Sequence, residues 1–308
     1  MDPLSEVLSL LKPRSLRASG LDIGGAWSLE FSQNVPIKCY AVVHGQCWLA
    51  VDGVPEAIML RAGECFLLPG GRPFRLTSDL SLPATDYRAV YPSTQAGGVV
   101  TLGGGGDFFM VGSRFSLSGG HTDLLLGLLP PVVHFHSEAD RAALHGSVER
   151  MRQELREQQP GSDLVVQHLA HTMLIQALRL YLAHGQHGQS VGWLFALNDK
   201  QIGAALEAMH TDPAQDWTVQ TLARAAGMSR SAFAQKFKAT VGSSPVEHLT
   251  RWRMVLAVDR LENTGDPLSV VALSLGYESE SAFSTAFKRV MGGPPRRYTR
   301  LTSLATAR

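Results

Sequence analysis

The chain has 308 residues, enough for two ordinary domains with separate cores, and its 44% hydrophobic and 18% charged content is that of a globular protein. Three cysteines, odd in number and without zinc-like spacing, exclude a disulfide framework; the most apolar run, LLLGLLPPVVHF, is broken by Pro130 and Pro131 and is too short to span a bilayer. Net charge is +1, but from Trp217 onward 13 Lys and Arg stand against 6 Asp and Glu, and before it 15 stand against 21. A basic C-terminal third points to an anionic partner. The N-terminus, MDPLSEVLSLLK, carries Asp2 and Glu6 and no cleavage pattern, so a reducing, cytoplasmic setting is expected, with no membrane partner.

Residues from about 21 to 135 read as short strands separated by turns: WSLEFS, CYAVVHGQCWLAVDG, CFLLPGG and FFMVGSRFSLSGG. Gly and Pro at this spacing predict a small antiparallel β-barrel, so residues 1–137 are taken as one domain of an α+β chain. Cys39 and Cys47 flank a strand turn and Cys65 opens the next strand, so two of the three could come within disulfide reach; plain core packing is the alternative. His134 and His136 at the end of the barrel read as structural. His168 and His171 share a helix face, but no Asp, Glu or Cys nearby completes a metal site.

Residues 138–190 read as two helices and a linker. Leu144, Val148, Met151 and Leu155 make a narrow apolar stripe, and Leu164 to Leu182 a fuller amphipathic helix; Gln186–Ser190 is the linker. The pair suits a dimer seam, with packing against the barrel as the alternative.

The rest, 191–308, holds a repeat. SRSAFAQKFKA (Ser229–Ala239) returns as SESAFSTAFKR (Ser279–Arg289), and Ala223, Gly227, Phe233, Phe237, Gly242 and Pro245 match Ala272, Gly276, Phe283, Phe287, Gly292 and Pro295. The second copy has one more residue between its Gly and first Phe. Each copy reads as helix, tight turn, helix. A small Ala permits close crossing, a Gly permits the positive φ that ends a helix, and a Ser caps the next one. Two helix-turn-helix modules are predicted, at about 217–242 and 267–292, joined by a helix from Glu247 to Glu262, about 24 Å long. That length suits two recognition helices in successive major grooves of double-stranded DNA. The residues off the Phe face are Arg230, Ser231, Ala234, Gln235 and Lys238 in one helix and Glu280, Ser281, Ser284, Thr285 and Lys288 in the other. Gln235 is suited to adenine, Glu280 to cytosine N4, and Lys238 and Lys288 to phosphates.

These motifs, with Leu249, Arg253, Met254, Ala257, Leu261, Tyr277 and Tyr298, resemble the AraC/XylS family of bacterial transcription regulators. The resemblance implies a seven-helix DNA-binding domain. Gly63-x5-Pro69-x-Gly71, with Gly45, is similar to cupin motifs, and implies a cupin-like domain that senses a small molecule or dimerises. Where metal-binding cupins carry ligands, this chain has Ser32-Gln33-Asn34, Lys38 and Phe74, none suited to a divalent metal. Neither a cofactor nor a catalytic residue is therefore expected, and His44 and Arg72 remain as polar groups to orient a ligand. The resemblance as a whole implies a regulator, most simply an activator, whose partners are operator DNA, RNA polymerase, an unidentified effector and a second copy of the chain. Two rival readings follow from it: a redox sensor using Cys39, Cys47 and Cys65, and a cupin enzyme that carries a DNA-binding domain.

Overall fold

The computed structural model describes residues 4–5, 8–9, 12–32, 37–90, 98–117, 129–184, 192–197 and 199–298. They divide into two compact units, one of Pro13–Leu117 with Leu129–Tyr181, the other built on Leu182–Arg308. No helix among the described residues is long and apolar enough to cross a membrane.

The N-terminal unit opens with strands β1 (Arg14–Ile23), β2 (Ser28–Phe31), β3 (Ile37–His44) and β4 (Gln46–Val51). It continues with β5 (Ile58–Arg61), β6 (Cys65–Leu68), β7 (Phe74–Thr77), β8 (Thr85–Asp86) and a short helix α1 (Tyr87–Val90). Strands β9 (Val99–Leu102), β10 (Phe108–Ser116) and β11 (Val133–Phe135) complete it. Among the described residues they form two sheets, in the orders β11-β6-β3-β10-β1-β9 and β5-β4-β7-β2-β8.

This corrects the expectation of an antiparallel barrel. The sheets are mixed, since β9 runs parallel to β1 and β8 parallel to β2, and they do not close on one another. Alternation along a strand reports which face is buried, not which way its neighbour runs. Strand β1 also starts well before the first run read as a strand, because RSLRASGLDI carries no strong apolar alternation.

Alternate residues of each strand fill the space between the sheets. Tyr40 and Val42 of β3 and Phe66 and Leu68 of β6 meet Leu29, Phe31, Leu49, Phe74 and Leu76 of the opposite sheet. The other face of β3 and β6, with Cys39, Ala41, Cys65 and Leu67, is buried as well. Helix α2 (Glu138–Glu157) packs there against β1, β3 and β10, presenting Leu144, Val148, Met151 and Leu155 as its buried stripe. Ser137 starts it with a capping box, and Gln158 ends it in the left-handed region at φ 48°. Helix α3 (Ser162–His184) follows, tied to α2 by hydrogen bonds from Ser162 Oγ to Glu154 Oε2 (2.9 Å) and from Ser147 Oγ to Gln176 Oε1 (2.9 Å). The predicted linker, Gln186–Ser190, lies outside the described residues.

The C-terminal unit is helical: α4 (Trp193–Ala196), α5 (Lys200–Thr211), α6 (Val219–Ala225), α7 (Arg230–Val241), α8 (Pro245–Asn263), α9 (Leu268–Ser274) and α10 (Glu280–Met291). Helices α6–α7 and α9–α10 are the two copies of the repeat. Both second helices have twelve residues, begin at a Ser N-cap and end at a Gly with positive φ, Gly242 at 85° and Gly292 at 74°. The extra residue of the second copy is therefore absorbed in the turn between Gly276 and Ser279. Gly276 has φ +78°, and a Cβ there would stand 2.3 Å from the Ala214 carbonyl oxygen; Gly227 has φ +65° and open space around it.

Helix α8 is buried on both sides. His248, Leu249 and Trp252 belong to the first module, where Trp252 stacks on His210 at 3.9 Å and His248 meets Phe237 edge-on at 5.9 Å. Met254, Ala257, Val258 and Leu261 enter the second module's core with Val271, Ala272, Phe283 and Phe287. His210 and His248 lie 3.3 Å apart, Nε2 to Nε2. Burial, reinforced for His210 by His248 and for His248 by Arg251, holds both far below the ordinary imidazole range.

Two outcomes follow. Phe233→Ala and Phe283→Ala are each expected to cost about 3–5 kcal/mol by leaving a cavity. Gly276→Ala is expected to cost more than Gly227→Ala, because only at 276 does a steric clash add to the positive-φ penalty of about 1–2 kcal/mol. Urea unfolding of the four variants checks the cost of the Phe pair and the ranking of the Gly pair. The second outcome concerns pH. The unfolded chain takes up protons at these imidazoles near pH 6.5, the folded chain only far below, so their contribution is complete above 6.5 and is lost as pH falls. The urea midpoint of the C-terminal unit should drop from pH 6.5 to 5; an unchanged midpoint would contradict the buried neutral pair.

Candidate nucleic-acid interface

The two second helices present the same pattern of exposure. In α7, Phe233, Phe237 and Val241 are buried, whereas Arg230, Ser231, Gln235 and Lys238 are exposed and Ala234 is partly covered. In α10, Phe283 and Phe287 are buried, whereas Glu280, Ser281, Thr285 and Lys288 are exposed and Ser284 is partly covered. Hydrogen bonds donated by the amides of Ala232 and Ala282 to Ser229 Oγ and Ser279 Oγ fix where each helix starts, and hence which residues face outward. All ten residues singled out from the sequence thus lie off the buried Phe face of their helices.

Two cations distinguish the helices, Lys236 and Arg289. Lys236 of α7 is turned away to Asp199, at 2.8 Å, and to Gln201 Oε1, at 3.0 Å. Asp199 caps α5; burial pushes its carboxyl up, but Lys236 and the amides of Ile202 and Gln201 outweigh this and hold it below the usual carboxylate range. In α10 the same position is Ala286, and the exposed Arg289 adds a guanidinium on the outward side. A helical projection of 100° per residue from Phe283 places Arg289 beside Thr285, so the spacing in the sequence already carries this signal.

One side chain of the joining helix touches both modules. Arg253 donates from Nε to the Pro213 carbonyl (2.7 Å) and from Nη2 to the Gln215 carbonyl (2.9 Å), both in the loop that enters the first module. The same guanidinium lies 5.6 Å over the ring of Tyr277, the turn residue of the second. Arg260 of α8 also bonds Ser274 of α9.

In the N-terminal unit the residues proposed to orient a ligand are not brought together. His44 ends β3 in solvent beside the Gly45 turn, and Arg72, also exposed, donates to the Asp52 carbonyl at 3.0 Å. Lys38 and Phe74, set where metal-binding cupins carry ligands, are buried, with the Lys38 ammonium 5.3 Å over the Phe74 ring. His134 Nε2 lies 2.9 Å from Glu64 Oε2. Nδ1 of His168 and His171 donate to the carbonyls one turn back, at 2.7 Å each. Among the described residues no group of three or more His, Cys, Asp or Glu is placed to hold a metal ion.

The three cysteines are free and buried. Cys39 and Cys65 neighbour each other on β3 and β6, beneath α2, while Cys47 lies in the core between the sheets. The hydrogen bond with Cys65, then burial, raises the Cys39 thiol, and burial raises Cys47 to about 12. Neither environment favours the thiolate that oxidant sensing requires.

A cupin family model matches residues 2–183 and a helix-turn-helix domain model matches residues 222–301. The chain is 45% identical to an AraC-like transcription regulator of Streptomyces antibioticus, over 97% of this chain and 98% of that one. It is 43% identical to another from Streptomyces lividans, over the same shares. It is 27% identical to the HTH-type transcriptional regulator AlkR of Acinetobacter baylyi, over 97% of this chain and 99% of that one.

Proposed function

The chain belongs to the AraC-like transcription regulators with an N-terminal cupin domain, and from that premise we propose how it reads DNA and what governs it. Helices α7 and α10 enter two successive major grooves on one face of a duplex. Arg230, Ser231, Ala234, Gln235 and Lys238 lie in one groove, and Glu280, Ser281, Ser284, Thr285 and Lys288 in the next. The observation that carries this reading is the matched exposure of two capped, twelve-residue helices on one joining helix. That helix, of nineteen residues, is about 28 Å long, and the width of the modules brings the separation near one DNA turn of ~34 Å.

Direct base reading falls mainly to α7, where Gln235 is suited to adenine N6 and N7. Helix α10, with Lys288 and Arg289 exposed and Glu280 at its start, holds phosphates more than bases. Residues 1–137 form the effector domain, 138–190 the helical region that meets a second copy, and 191–308 the DNA reader. The regulator acts in the cytoplasm, as an activator that meets RNA polymerase at the promoter, and its N-terminal domain binds an effector without turnover.

The test uses the full chain and a DNA site selected from a random pool. Footprinting should show two protected stretches about one turn apart. If about six phosphates are neutralised, log affinity should fall with log salt at a slope near −5. Gln235→Ala should relax preference at one base by about 1–3 kcal/mol, whereas Lys288→Ala should weaken all sequences alike. A slope near zero, or a single protected stretch, would overturn the reading.

A further inference from the structure

Only Gly242, Ser243 and Ser244 separate the end of α7 from the start of α8. The first turns of α8 therefore lie at the C-terminal end of the first recognition helix. A broad cleft opens there, with Val246, Glu247 and Arg251 of α8 on one wall and Arg289 and Val290 of α10 on the other. About 620 Å³ of it admits the centre of a water molecule. The cleft thus lies between the two recognition helices, on the flank of α10 where Arg289 stands beside Thr285.

Among the described residues no aromatic ring lines this cleft, so it lacks the apolar walls of a small-molecule pocket. Its charged groups are two arginines and one glutamate. Arg251 donates from Nη2 to Glu247 Oε1 at 2.7 Å, and both side chains are half exposed. An exposed pair one helical turn apart is weak, and its guanidinium is readily given up to a phosphate. Arg289 is exposed on the opposite wall. The repeat marks this cation as particular to the cleft, because the matching residue of α7 is Ala239. Val246, half exposed, and Val290 place methyl groups between the charges.

We propose that this cleft grips the sugar–phosphate backbone that passes between the two major grooves, Arg251 and Arg289 each taking a phosphate. Two helices seated in successive major grooves leave one minor groove between them, and a strand bordering it must cross between the modules. A guanidinium offers two parallel N–H donors to two phosphate oxygens, and the valine methyl groups suit the faces of the deoxyriboses. Glu247 releases Arg251 to the DNA as the phosphate arrives. Contacts at base pairs that neither recognition helix touches make the stiffness of the spacer part of the specificity. The inference rests on the two-groove reading and deepens it.

The test uses the full chain and its selected site, with neutral methylphosphonates replacing the spacer phosphates one at a time. At least one position should weaken binding fivefold or more. Arg251→Gln and Arg289→Gln should each weaken unmodified DNA at least fivefold, alike for all recognition sequences, and lower the salt slope by about 1. Arg289→Lys should keep most of the affinity, and Glu247→Gln should tighten binding. With the sensitive phosphate already neutralised, one of the two Gln variants should cost nothing further, whereas Lys288→Ala should still cost its full amount. Equal thermal midpoints of the variants show that they fold. Silent spacer phosphates, or losses from phosphate and arginine that simply multiply, would overturn the cleft as a backbone site. Unchanged DNA affinity in both Gln variants would do the same and leave the cleft to a protein partner. If two protected stretches persist in those cases, the two-groove reading stands without the grip; a single protected stretch in the unaltered chain removes both.

Discussion

Everything the C-terminal unit offers to DNA depends on helix α8 being buried on both sides. A surface helix keeps one apolar stripe and leaves its other face in water. Helix α8 instead gives His248, Leu249 and Trp252 to one module and Met254, Ala257, Val258 and Leu261 to the other. Neither module can turn about it without opening a core. Arg253 adds a polar clamp, since its guanidinium holds the entry loop of the first module and lies on the turn of the second. The spacing of the two recognition helices is thus set by packing, and packed cores do not deform continuously. A chain built this way offers a fixed pair of surfaces rather than two independent readers.

The N-terminal unit uses its interior differently. On the outer face of the six-stranded sheet, Cys39, Ala41, Cys65 and Leu67 lie under α2 as plain packing. Between the sheets the core is interrupted by the buried Lys38, whose ammonium donates to the Arg72 carbonyl at 3.2 Å and lies over the Phe74 ring. The departure from the metal-binding cupin pattern is therefore more than a loss of ligands. A Lys and a Phe occupy those positions, and together they hold a cation against an aromatic wall.

Much of the DNA-binding unit was legible in the sequence because its signals are local. Phe233 and Phe237 lie one helical turn apart, Ser229 and Ser279 are helix caps, and Gly242 and Gly292 are left-handed stops; the repeat shows each twice. The sheets were legible only in part. Runs such as CYAVVHG and CFLLPGG showed where strands lie, but the parallel seating of β9 on β1 and β8 on β2 is a long-range choice that no local pattern encodes. Side-chain destinations were the least visible. Lys236 and Lys238 differ by two positions, yet one is bound to Asp199 and the other is exposed. His44 and Arg72 read as interior polar groups but stand in solvent, while Arg114, which no sequence motif marks, lines a pocket with Phe31, Tyr40 and Tyr87.

The rigidity of the joining helix is the central claim, and a spacer series in the DNA tests it most directly. Insertions of five and ten base pairs are placed between the two protected stretches of a selected site, and the affinity of the full chain is measured for each. Ten base pairs restore the face of the duplex but add about one turn of distance. A helix packed into both modules cannot lengthen to follow, so both insertions should reduce affinity to that of a single module. Recovery of full affinity at ten base pairs would mean that the modules move apart freely, and would contradict the account.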